Sequence, residues 1–332
     1  MKIHNLAFLL LFQFPLAGNE ALEFQESTPI TDSRINPDGN KPKPAIIVFK
    51  SVDGGQTWQD ISEGLPEIAQ GDDFFANDSG LYLRVGNGIY HSKPNSAAPF
   101  WSKEIFPDQH SNIAPGNTGI FAYNYDGRLL QKVKGASVWS QVYTNFQGKW
   151  VRTIFETAGG TIFIGTDGGL FKSTNGGGTW KQIHTGGLVG KLVESDGVLV
   201  ATSQKGIIKS TDMGEHWDLV VSEGGVGIAI ERISGGFAAI IYNEKLKARR
   251  VLTSYDGGKI WQAIDNGLPA DASIASIVQV GEYFFCGHPA GIFRSSDKGK
   301  TWTLLLPSIG DKVFNLSVSG GVIYALPRDG GC

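Results

Sequence analysis

The chain has 332 residues, with 29 Lys and Arg against 32 Asp and Glu for a formal net charge of −3. No Lys/Arg stripe runs along it, which excludes the electrostatic footprint of a nucleic-acid binder. It holds 45 glycines and 14 prolines. Glycine is thus about twice the average of about 7%, yet Gly plus Pro stays under the roughly 25–30% of low-complexity chains.

Residues 1–18 hold one lysine, an apolar run over 6–14 and the exit Pro15-Leu16-Ala17-Gly18. This pattern reads as a secretory signal peptide, too short in its apolar part for the roughly 20 residues of a membrane span. The chain is therefore expected to be secreted or periplasmic. Residues 19–44 are polar and broken by Pro29, Pro37, Pro42 and Pro44, so they read as a linker. Two cysteines, Cys286 and Cys332, allow one disulfide but neither a disulfide framework nor a metal quartet.

Residues 45–332 are expected to form one repeat domain. Trp58, Trp101, Trp139, Trp180, Trp217, Trp261 and Trp302 are spaced by 37 to 44 residues, the period of four-stranded propeller blades. Residues 151–184 show the unit best: strands are predicted over 151–155, 161–165, 170–173 and 180–184, separated by Gly- and Asp-bearing turns. The first unit begins late, with only a third strand (45–51) and a fourth (58–61). The last stretch supplies only a first (313–317) and a second (321–326). Together these half-blades complete one sheet, which predicts an all-β, seven-bladed β-propeller closed by its two termini. Closure removes the exposed sheet edges that a linear β-solenoid would keep.

Five turns carry one sequence, Ser-x-Asp/Asn-x-Gly-x-x-Trp. They are Ser51, Asp53, Gly55 and Trp58; Ser173, Asn175, Gly177 and Trp180; Ser210, Asp212, Gly214 and Trp217; Ser254, Asp256, Gly258 and Trp261; and Ser295, Asp297, Gly299 and Trp302. A short acceptor side chain can bond the backbone amides of such a turn, glycine can take positive φ, and the indole can anchor the next strand. Asn175 shows that the charge is dispensable, so the repeat reads as structural. The units at Trp101 and Trp139 have lost it.

These turns resemble the Asp-box, or bacterial neuraminidase repeat. Ser51-Val52-Asp53-Gly54-Gly55-Gln56-Thr57-Trp58 and residues 295–302 match it throughout, whereas His216 and Ile260 stand where Thr is usual. Proteins with such boxes include sialidases, xyloglucan-cleaving glycosidases, the sortilin ectodomain and photosystem II assembly-factor propellers. The resemblance implies a ligand face opposite the boxes but no single function. A sialidase would add three arginines on a sugar carboxylate, a Tyr/Glu pair and an Arg-Ile-Pro signature. Here the nearest string is Arg34-Ile35-Asn36-Pro37, and Glu282-Tyr283 falls on the box face.

By that resemblance, the ligand face is expected to carry Asp108, His110, Tyr125, Asp126, Trp150, Asp167, Lys205, His288 and Arg328 with Asp329. One turn is long and basic, and Lys245, Lys247, Arg249 and Arg250 form a candidate docking strip for an acidic partner, or a solvated hairpin. Glu156, Glu194 and Arg232 occupy equivalent positions before turn glycines and are expected to line the channel. The six histidines are scattered without metal-ligand spacing, so no metal or cofactor is expected. The sequence reads as a monomeric exported platform for a protein or surface glycan, without nucleic acid or a transmembrane segment. The alternative is a glycoside hydrolase of sialidase-like or xyloglucanase-like shape.

Overall fold

A computed structural model of the chain describes residues 48–329 apart from 67–70, 87, 105–111, 125–126, 145 and 147–148. The expected signal peptide, the linker and Cys332 lie outside these residues. Among the described residues there is no helix, and hence none long and apolar enough to cross a membrane.

Among the described residues, twenty-eight strands form seven four-stranded antiparallel sheets, one per predicted blade. Blade four is Val151–Glu156, Ile162–Thr166, Gly169–Ser173 and Lys181–His184, in that spatial order. Blades two, three, five, six and seven repeat the pattern. Blade one is assembled from both ends of the body, as expected. Phe49–Ser51 pairs with Val322–Arg328, placing Phe49 opposite Ala325, while Val313–Ser319 and Gln59–Asp60 form the outer members of the order.

Every sheet except at its outer strand is covered on both faces by neighbouring sheets. Its middle strands are therefore apolar continuously rather than alternately: Ile162–Thr166 is buried at every position. Seven apolar clusters fill the seven gaps between blades. Phe49, Trp58, Phe314 and Ile323 of blade one meet Val278, Phe285, Ile292 and Leu306 of blade seven in one of them. Fourth strands such as Lys181–His184 are exposed or half-buried along their length.

The box turns close as their sequence dictates. In the first, the Ser51 hydroxyl donates to Asp53 Oδ1 at 2.8 Å and accepts from the Gly55 amide at 2.8 Å. The Thr57 hydroxyl and amide then donate to Asp53 at 2.6 and 3.0 Å. Bonds from the Thr301 hydroxyl and then its amide hold Asp297 down at about 2. At Asp212 the His216 amide and ring do the same, well below the usual carboxylate range. Box glycines have a second duty. Gly55, Gly177, Gly214, Gly258 and Gly299 all have positive φ, and a Cβ on each would press into the preceding blade, on Gly177 to 2.3 Å from Val142.

Because strands alternate in direction, box turns and first-to-second-strand turns share one face. Second-to-third-strand turns and blade-to-blade connections share the other.

Candidate functional site

On the face opposite the boxes, blade four presents the turn Asp167-Gly168 beside the incoming segment Lys149-Trp150. Thr166 shapes the turn: its hydroxyl donates to the Gly169 carbonyl at 3.0 Å and accepts from the Gly168 amide at 3.1 Å. Glycine is required at 169, where φ is +128° and a Cβ would lie 2.0 Å from the His184 carbonyl oxygen. The two segments then lock together. The Asp167 amide donates to the Trp150 carbonyl at 3.1 Å, and Asp167 Oδ1 accepts from the Trp150 amide at 3.1 Å.

This arrangement holds the Trp150 indole outward, 55% exposed. The Arg152 guanidinium sits 5.2 Å from the Trp150 ring centroid, a cation–π contact that restrains the indole. Arg152 is itself positioned from blade three, where the Tyr123 hydroxyl donates to the Arg152 carbonyl at 3.2 Å. Below lies packed hydrocarbon: Phe146 and Phe171 meet edge to face at 4.7 Å, and the Lys149 ammonium lies 5.6 Å from the Phe171 ring. The result is a rigid aromatic and cationic shelf suited to a flat or apolar ligand group.

Of the predicted ligand-face residues, the structure brings Trp150 and Asp167 together. Lys205 stands exposed on its turn in blade five, with its amide donating to Ser203 Oγ at 3.3 Å. Arg328 ends the second strand of blade one, and Asp329 follows it with its carboxylate 3.8 Å from the Lys312 ammonium. Asp108, His110, Tyr125 and Asp126 lie outside the described residues.

His288 is turned inward and only 2% exposed. Its Nδ1 accepts from the Ala290 amide at 3.0 Å, which leaves Nε2 to donate to the Pro269 carbonyl at 2.9 Å. Burial lowers its pKa below the ordinary histidine value and keeps that tautomer neutral. This imidazole is packing, not a ligand contact.

Of the expected basic strip, Lys247 and Arg250 are paired with carboxylates and Arg249 is buried. Arg249 is buried, donating from Nη1 to the Ile274 carbonyl at 2.8 Å. Arg250 forms a fork on Asp265, with Nε at 2.5 Å and Nη2 at 3.2 Å from the two carboxylate oxygens. Lys247 pairs with Glu244. Strand alternation sends neighbouring arginines to opposite faces of one sheet, where each meets its own partner; the hairpin tip keeps Lys245. The expectation of a channel lining divides likewise: Glu156 is buried and accepts from the Thr118 amide at 3.0 Å and hydroxyl at 2.9 Å across the blade boundary, while Arg232 is exposed.

Sequence reading passed over Asp73. It lies near the start of the first strand of blade two, Gly71–Asn77, and accepts from the Ile113 amide of blade three at 3.0 Å. Burial pushes its carboxyl up to about 6, against that bond and the charges of Arg328 and Arg84. An acid on an innermost strand was a readable signal, hidden by the unmatched first half of blade two. Among the described residues, no group of His, Cys, Asp and Glu could hold a metal ion.

The fold defines a seven-bladed β-propeller. No family model matches the chain, and no curated protein matches it either. Solved propellers are similar in fold. YCF48 from Cyanidioschyzon merolae is 14% identical with a TM-score of 0.57, over 79% of this chain and 97% of that one. A YCF48 bound to a D1 peptide is 16% identical with a TM-score of 0.55, over 85% and 86%. An ancestral GH74 enzyme is 17% identical with a TM-score of 0.60, over 84% of this chain but 45% of that one, so this chain spans about half its length. At these identities the likeness is one of fold.

Proposed function

We propose that the chain is an exported, non-catalytic propeller that grips a partner protein, or a surface glycan, by the face opposite its box turns. The observation that carries this reading is Trp150, whose backbone is locked by Asp167 and whose indole is 55% exposed yet restrained by Arg152. A large aromatic kept rigid on a scaffold loses little entropy on binding and is the side chain most often found to dominate an interface. Loops on a rigid scaffold are where binding residues concentrate. A propeller of the same shape bound to a peptide supports the choice of a protein partner. Export rests on residues 1–18 alone.

The experiment is a selection from a random peptide library on protein lacking residues 1–18, followed by titration of the enriched peptides. Trp150→Ala is expected to weaken them at least about 10-fold, the size of a strong interface residue. Peptides that bind both proteins equally would sink the reading.

A second reading, a glycoside hydrolase, has Asp73 in its favour. With its carboxyl raised to about 6 it keeps a proton in weakly acidic solution, as a general acid must. Such cleavage also needs a second carboxyl about 5–9.5 Å away. Sugar released from sialosides or xyloglucan, and lost in Asp73→Asn, would favour this reading over the platform.

A further inference from the structure

The five boxes differ in one chemical respect. Four hold an acid at their third position, whereas blade four holds Asn175, followed by Gly176. An asparagine before glycine is the one most open to attack by the next backbone nitrogen, because glycine sets no Cβ in the way. Among the described residues this pair occurs twice, at Asn175-Gly176 and Asn266-Gly267, and both pairs are exposed. A Cβ added to either glycine would meet nothing within 4 Å, so both turns stand in open space.

The two asparagines are held differently. Asn175 Oδ1 accepts from the Ser173 hydroxyl at 2.9 Å and from the Thr179 amide at 2.9 Å, while its Nδ2 donates to Thr179 Oγ1 at 3.0 Å. The carboxamide is thus bonded at both ends, toward Ser173 and Thr179. To set its Cγ on the Gly176 nitrogen, the side chain must swing out of these three bonds. Asn266 lies in a turn closed by the Leu268 amide donating to the Asp265 carbonyl at 3.1 Å. Among the described residues its side chain makes no hydrogen bond.

The acidic boxes show what an aspartate at position 175 would meet. Around Asp53 and Asp297 the serine hydroxyl and the threonine amide make the same two bonds, at 2.8 to 3.0 Å. The Thr57 and Thr301 hydroxyls then donate to the second carboxylate oxygen, at 2.6 and 2.7 Å. At Asn175 the Thr179 hydroxyl accepts instead, and an aspartate there needs only that hydroxyl to turn round. Bonds to a carboxylate are about twice as strong as neutral ones.

We infer that Asn175-Gly176 is a self-modification site, a deamidation that the box holds back and whose aspartate product it then stabilises. The Gly176 nitrogen attacks Cγ of Asn175, closing a succinimide ring. Its proton goes to the carboxamide nitrogen, which leaves as ammonia. Water then opens the ring. Breaking the bond from the Gly176 nitrogen to Cγ gives aspartate and completes a fifth acidic box. Breaking it at the backbone carbonyl gives isoaspartate, whose chain runs through the side-chain carbon and forfeits the box bonds. The reaction adds one negative charge to the box face of blade four, the blade that carries Trp150 on its other face.

The test follows both asparagines in one sample of protein lacking residues 1–18, kept at about pH 8 and about 37 °C. Trypsin cuts after Lys172, Lys181, Lys259 and Arg294, so residues 173–181 carry Asn175 and residues 260–294 carry Asn266. Each conversion adds about 1 Da in the mass spectrometer. Residue 175 should convert at least about 10-fold more slowly than Asn266, since three bonds must open first. Thr179→Val removes one of them and should speed residue 175 by about 2- to 10-fold relative to Asn266. Blade six folds with Ile260 at that box position, so the substitution keeps the turn. Asn175→Asp, the finished product, should melt about 1–3 °C above the parent. Equal rates at the two asparagines would overturn the inference. So would a rate at residue 175, zero included, that Thr179→Val leaves unmoved, or an Asn175→Asp protein that melts below the parent.

Discussion

Asp167 and Trp150 hold each other by two backbone-involving bonds of 3.1 Å, one in each direction, across the join between a turn of blade four and the segment that enters it. The carboxylate accepts the amide of the very residue whose side chain is exposed. Asp167→Ala should therefore loosen the indole without unfolding the blade, for the turn keeps the Thr166 bonds. The expected loss of stability is under about 1 kcal/mol, as for one exposed hydrogen bond. Urea unfolding measures that loss, and peptide affinity should fall more than stability does.

Gly177 and Gly176 are adjacent, both at positive φ, and differ in what surrounds them. Gly177→Ala drives a methyl to 2.3 Å from Val142 of blade three, whereas Gly176→Ala meets nothing within 4 Å. Left-handed strain alone is about 1–2 kcal/mol and overpacking adds about 1–3 kcal/mol. Thermal melts of the two variants should differ accordingly, with Gly177→Ala the lower.

Acidification should act in two opposite steps. Asp73 has a folded pKa raised to about 6, so it binds a proton in the folded state before the unfolded one. Its contribution to stability therefore grows as pH falls from about 6 to about 4, by about 2 kcal/mol once partial exposure is discounted. Asp73→Asn should flatten that rise. The box acids have the reverse sign. Asp212, Asp256 and Asp297 are lowered by bonds from His216, Ile260 and Thr301, so their support is complete above about pH 4 and lost as pH falls through their folded values. At Asp53 burial opposes the shift, and bonds from Thr57 and Ser51 outweigh it. Melts from pH 3 to 8 should peak near pH 4–5.

The basic hairpin supplies a stability test. Arg249 is buried with its guanidinium on the Ile274 carbonyl, and Lys245 is exposed. Arg249→Ala is expected to cost about 2 kcal/mol through lost packing and an orphaned acceptor. Lys245→Ala should fall within about 0.5 kcal/mol of the parent. Equal effects would contradict the placement of Arg249.

Ile260→Thr should raise stability by about 0.5–1 kcal/mol, because Asp256 gains the hydroxyl donor that Asp53 and Asp297 already have. A lower melting temperature would contradict the account of that turn.

The architecture was legible because it is written repeatedly. Tryptophans near every 41 residues count the blades, and the missing halves at residues 45 and 326 foretell the shared sheet. Site residues were harder, since position on a face is periodic but side-chain direction is not. Asp167 and Trp150 were readable as turn and connection residues, while the acceptor that holds His288 inward, the Pro269 carbonyl, lies 19 residues earlier in the chain. Arg249 and Arg250 look alike in sequence and part company only when the strand sends them to Ile274 and Asp265. Asp73 depends on Ile113 of the next blade, a contact no single repeat contains.

The most direct test of a ligand face opposite the boxes is hydrogen–deuterium exchange of the protein with and without a library-selected peptide. The account predicts protection of residues 149–153 and 166–169, abolished by Trp150→Ala. Protection confined to the box turns, with those two segments unchanged, would contradict it.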